Sequence, residues 1–98
     1  MAGLIVGICK LQLEIEDNFS LKGKRSIVRR VKDRVRNRYN VAIAEVEDLD
    51  AHDLATLGFA VVGNDHADIN SRVDRIIRFI EELDLAPVGM YDFDIVHY

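Results

Sequence analysis

Ninety-eight residues, 49% apolar and 31% charged with a single proline, suffice for one globular domain with a modest core and exclude a disordered chain. A net charge of −4 and a pI near 5.3 exclude attraction of the whole molecule to polyanions, so any nucleic-acid contact has to be local. One cysteine excludes an internal disulfide framework and a cysteine-based zinc site, and fits a reducing compartment.

Ala2 to Glu16 alternates. Ile5, Gly7, Cys9, Leu11, Leu13 and Ile15 share one face, apolar except for the glycine. Leu4, Val6, Ile8, Lys10, Gln12, Glu14 and Glu16 share the other, which begins apolar and ends polar. This predicts a long strand with one face on the core and a second face whose first half needs a cover of its own. Met1 to Cys9 is apolar but has no positive leader and soon meets Lys10 and Glu14. Neither a signal peptide nor a membrane span is expected, and the expected address is cytoplasmic with no membrane partner. Asp17-Asn18 supplies turn chemistry before the next element.

Ser20 to Tyr39 predicts one amphipathic helix. Ser20 is a suitable N-cap, and Leu21, Ile27, Val28, Val31, Val35 and Tyr39 fall on one stripe, with Asn40 as a left-handed stop. Nine of the chain's 13 Lys and Arg lie in these 20 residues, opposed only by Asp33, which makes the segment +8. A total of −4 then leaves −12 for the other 78 residues.

Val41 to Glu47 predicts a short second strand, with Val41 and Ile43 on one side and Ala42, Ala44 and Val46 on the other. Asp48 to Ala55 reads as an acidic loop, and Thr56 to Val62 as a third strand ending at Gly63-Asn64-Asp65. Asn64 or Asp65 can cap a second helix, with Asp65 and Asp68 placing negative charge at its positive end. Ile69, Val73, Ile76, Ile77, Ile80 and Leu83 form its apolar stripe, with Arg72, Arg75 and Arg78 opposite. Pro87 and Gly89 break the chain, and Met90 to Tyr98 alternates as a last strand.

The order βαββαβ, in one domain over residues 1–98, implies two right-handed crossovers on the same side of a sheet. That is an α+β, ferredoxin-like sandwich, a four-stranded antiparallel sheet with two helices on one face. The uncovered face would leave Leu4, Val6 and Ile8 exposed, which predicts a homo-oligomer, a dimer in the simplest case, burying those residues.

Ser20-Leu21-Lys22-x-Lys24-Arg25 is the most specific segment. With Arg36-Asn37-Arg38-Tyr39-Asn40-Val41, Ala44-Glu45-Val46, Leu57-Gly58 and Val61-Val62-Gly63-Asn64-Asp65, it resembles the YlxP-like family of small uncharacterised bacterial proteins over nearly the whole chain. The resemblance implies a ferredoxin-like fold and a setting near translation, since members are often encoded beside a translation initiation factor and a ribosome-binding factor. It implies no reaction. Two positions depart from the family pattern. Gly23 stands where an acidic or amide residue is common, which removes half of a capping box. His52 replaces a frequent Trp in the acidic loop, which puts an aromatic anchor there in doubt.

On a helical wheel Arg25, Arg29, Lys32 and Arg36 form one flank, with Lys22 nearby, and Arg30, Arg34 and Arg38 form the other. The first flank has no acid interleaved and is the candidate phosphate strip, for RNA or the small ribosomal subunit. The competing account is a solvated face paired with the chain's own Glu45, Glu47, Asp48 and Asp50. Lys24 falls inside the apolar stripe, and the simpler account packs its stem and lets its ammonium reach solvent. The other account aims it at a ligand between helix and sheet.

Only Tyr39, Phe59, Tyr91, Phe93 and Tyr98 lie in or beside strands, too few for base-stacking readout of single strands, and no readout of DNA sequence is expected. Asp65-His66-x-Asp68 and His52-Asp53 lack a spacing that fixes metal geometry. Cys9 lies mid-strand on the apolar face, where a thiol is inert. No phosphate-cradling glycine loop is present, and Glu16-Asp17-Asn18-Phe19 stands where acylphosphatases of this fold carry a glycine-rich loop and an arginine. The expectation is therefore a non-enzymatic protein with no catalytic residue, metal or cofactor, docking RNA through the first helix. Oligomeric docking of an acidic partner, or small-ligand sensing at a subunit boundary, stands as the alternative.

Overall fold

A computed structural model describes residues 3–17 and 19–98. Asn18, half of the expected turn, and Ala2, the expected start of the first strand, lie outside the described residues. The elements run β1 (Ile5–Glu14), α1 (Leu21–Arg38), β2 (Ala42–Glu47), β3 (Leu54–Gly63), α2 (His66–Leu83) and β4 (Val88–His97). One antiparallel sheet has the order β2-β3-β1-β4, and both helices cover the same face, which is the ferredoxin-like arrangement.

Alternation in β1 is what anchors the fold. Cys9, Leu11 and Leu13 are buried under the helices and meet Phe59, Leu57 and Ala55 across the β1–β3 register. From above, α1 contributes Val28, Val31 and Val35, and α2 contributes Ile69, Val73, Ile76, Ile77 and Ile80. The glycine in the apolar face of β1 has a steric reason. A Cβ at Gly7 would lie 2.8 Å from Cγ2 of both Ile69 and Val73, so its absence sets how closely α2 approaches the sheet.

Both helices begin as expected from their caps. Ser20 Oγ accepts from the Gly23 amide at 3.0 Å, and Asp65 Oδ2 accepts from the Asp68 amide at 2.9 Å. The end of the first differs from expectation. The first helix stops with Tyr39 in extended geometry (φ −131°) rather than at a left-handed Asn40. The second stops at Asp84, which takes the left-handed conformation (φ 52°) three residues before the proline.

Strand alternation breaks once in β2. A register shift between Glu45 and Glu47 opposes the latter to Thr56, so Glu45 points toward the helices and Glu47 toward the open face. Each sheet edge is blunted by a side chain. Arg36 Nη2 donates to the Ile43 carbonyl of β2 at 2.8 Å, and the Ile95 amide of β4 donates to Asp94 Oδ1 at 2.8 Å. Among the described residues, no helix is long and apolar enough to cross a membrane.

Candidate nucleic-acid interface

Burying Val28, Val31 and Val35 fixes the rotation of α1 and turns its basic flanks outward. Lys22, Arg25, Arg29 and Arg36 are exposed and Lys32 is half-buried. At 1.5 Å per residue, Arg25 to Arg36 spans about 16 Å along the axis. Four of the five have no hydrogen-bond or ion-pair partner among the described residues. The exception is Arg36, whose guanidinium is tied to the Ile43 carbonyl. The fold thus brings the expected strip together but assigns its last member a structural bond.

Three of the four acids that might have neutralised the strip are engaged elsewhere, while Asp50 and the helix's own Asp33 stay exposed. Glu45 pairs with Lys24 at 2.9 Å, Glu47 accepts from Lys10 at 2.7 Å, and Asp48 Oδ2 accepts from Thr56 Oγ1 at 2.6 Å. The hydrogen bond from Lys10 to Glu47, and then the charge of that carboxylate, hold the Lys10 ammonium above its ordinary range.

Lys24 overturns the expectation that its ammonium reaches solvent. The side chain is fully buried, and Nζ donates to the carbonyls of Asp48, Leu49 and Leu54 at 2.8, 3.2 and 3.3 Å. Those three acceptors take up the ammonium's three protons. Glu45 Oε2 stands 2.9 Å away without accepting a well-aligned hydrogen bond, so its contribution is charge rather than directed bonding. The cause is the β2–β3 loop, which folds over the first turn of α1 with Asp48 left-handed (φ 60°) and points its carbonyls inward. Nor is there room for the ligand of the alternative account: the ammonium's partners are the chain's own.

Several further placements were illegible in the sequence. Arg38 lies over the Phe79 ring, 5.8 Å from its centre, and Phe79 meets Tyr39 edge to face at 5.5 Å. With Arg75, Arg78 and Glu82 these residues line a cleft of about 250 Å³, which carries positive charge from α1 onto α2. The spacing of Arg75 and Arg78 opposite the apolar stripe of α2 was the available signal, but it does not show which helix they would face. His66 Nδ1 and His97 Nε2 lie 2.6 Å apart with their rings stacked, 31 positions apart in the chain. Among the described residues no group of three or more His, Cys, Asp or Glu is arranged to hold a metal ion. Burial, and secondarily the Asp92 carboxylate, push the Cys9 thiol up to about 12. Phe59 is in the core.

On the opposite face of the sheet Leu4 and Ile8 are exposed and Val6 is half-buried.

Comparison with known proteins adds a family and a fold. The family model described as "Protein of unknown function (DUF503)" matches residues 6–92. The uncharacterised protein YlxP of Bacillus subtilis (strain 168) is 30% identical over 77 residues, covering 79% of this chain and 84% of that protein. Among solved structures, the de novo designed protein Foldit4 superposes with a TM-score of 0.58 over 95% of this chain and 96% of its own, at 17% identity. That likeness concerns the fold alone.

Proposed function

The chain belongs to the DUF503 family, to which no reaction is assigned, and from that premise we propose that it is a small non-enzymatic accessory protein that docks RNA through α1. The observation that carries the reading is the uncompensated strip. Lys22, Arg25 and Arg29 face outward and Lys32 is half-buried, all without a partner among the described residues, while Glu45, Glu47 and Asp48 are committed to Lys24, Lys10 and Thr56. Cations on a rigid helix are suited to phosphates, which give affinity and register without reading sequence. The Arg38, Arg75 and Arg78 cleft extends the positive surface across the helical layer.

The test is a titration of ribosomal RNA and of small ribosomal subunits with the wild type and with a Lys22→Glu, Arg25→Glu, Arg29→Glu, Lys32→Glu variant. Arg36 stays intact because it holds the β2 edge. Loss of four phosphate contacts makes the slope of log affinity against log salt shallower by roughly 3 in the variant than in the wild type. Absence of binding at 50 mM salt overturns the proposal. Equal binding to polyglutamate overturns it in favour of an acidic protein partner.

A further inference from the structure

We propose that the open face of the sheet is the interface of an isologous dimer, its occupant a second copy of this chain. The inference is independent of RNA docking. An antiparallel sheet with one free face ordinarily shows polar side chains there. Here Val6 sits between Val62 and Val96, and Ile8 sits between Ala60 and Asp94. Leu4, Ile8, Val62 and Val96 stand up as a ridge, 39%, 44%, 57% and 43% exposed. Beside it Ala42, Ala44, Gly58 and Ala60 floor a trough of about 480 Å³, bounded by Ile8, Val46 and the Lys10–Glu47 pair. Gly58 cannot carry a side chain without moving Val46, since a Cβ would meet its Cγ1 at 3.0 Å.

Ridge and trough lying side by side on one face is what a two-fold interface requires. An axis in the plane between two copies seats each ridge in the other's trough, so that residue i meets j and j meets i. Extent favours the same occupant. Three strands of ten residues and β2 of six, at ~4.8 Å spacing and ~3.3 Å rise, offer on the order of 570 Å² per copy. Two faces in full contact bury on the order of 1,100 Å², just above the ~1,000 Å² that a specific interface needs. On each of the two edge strands one backbone group is already taken by a side chain, the Ile43 carbonyl by Arg36 and the Ile95 amide by Asp94. The charged end of the face supplies a solvated rim, where Lys10 is already paired with Glu47 and flanked in register by Asp92.

Sedimentation equilibrium of the full chain from about 1 to 200 µM tests this. The expected species has twice the 11.1 kDa mass of the chain. Val62→Asp and Ile8→Asp, each checked for fold by circular dichroism, are expected to weaken association at least tenfold. Ala44→Trp, which fills the trough without adding charge, is expected to do the same. Should Ile8→Asp fail to fold, the more exposed Val62→Asp decides. A monomer at 200 µM, a trimer, or a dimer indifferent to both Val62→Asp and Ala44→Trp overturns the inference.

Discussion

Replacing Lys24 with Met keeps the apolar length of the side chain and deletes only the ammonium. Two losses follow at once. The Glu45 carboxylate, 13% exposed, loses the ion 2.9 Å away. The carbonyls of Asp48, Leu49 and Leu54 lose the donor they share. Removing one partner of a buried pair costs roughly 3–5 kcal/mol, most of it the uncompensated charge left behind. For a domain of this size each kcal/mol moves Tm by about 4–8 °C, so a fall of at least about 12 °C is expected. Glu45→Leu on top of Lys24→Met should recover part of that loss. A double-mutant cycle should return a coupling of at least about 1 kcal/mol, little changed by 0.5 M NaCl because buried pairs are weakly screened. Thermal melts by circular dichroism measure all four corners. A loss below about 1 kcal/mol, or a coupling indistinguishable from zero, would refute the picture of a desolvated ammonium holding the loop.

Two further consequences are open to measurement. The Cys9 thiol, raised from 9.0 to about 12, keeps its proton in the native state at a pH where the unfolded chain releases it. Stability should therefore fall as pH rises from 9 toward 12, by up to about 1.4 kcal/mol per unit, and Cys9→Ala should flatten that slope. Identical alkaline melts for the two proteins would count against it. Gly7→Ala should destabilise by about 1–3 kcal/mol, because its Cβ intrudes on Ile69 and Val73 in a filled core. Denaturant unfolding checks it, and a neutral result means that α2 can lift off the sheet more freely than the packing implies.

The architecture was readable because period 2 in β1 and periods near 3.6 in α1 and α2 are imposed by burial, and burial is what the sequence encodes most openly. The basic strip was readable for the same reason, since the apolar stripe fixes which way Arg25 and Arg29 face. Lys24 was not. Its place in the stripe was visible, but three of its four partners are backbone carbonyls in the β2–β3 loop and at the start of β3, at least 24 positions away, and carbonyls carry no residue signature. The fate of Glu47 was hidden by a bulge that strict alternation does not anticipate. His66 and His97 meet only because β4 runs back alongside β1, a tertiary fact with no local mark. The end of α1 was misread because Asn40 suits a left-handed stop but a helix can also end by simply turning extended, as Tyr39 does.

The separation of charge has a kinetic consequence. A chain of −4 with +8 concentrated in Ser20 to Tyr39 carries a large electric moment, with its positive pole on the helical layer. In the field of a polyanion such a molecule feels a torque at distances where its net charge is still repelled. It therefore approaches slowly but already turned, α1 foremost, and added salt erodes both the torque and the repulsion within a Debye length of about 8–10 Å. Orientation rather than attraction would set its rate of productive encounter.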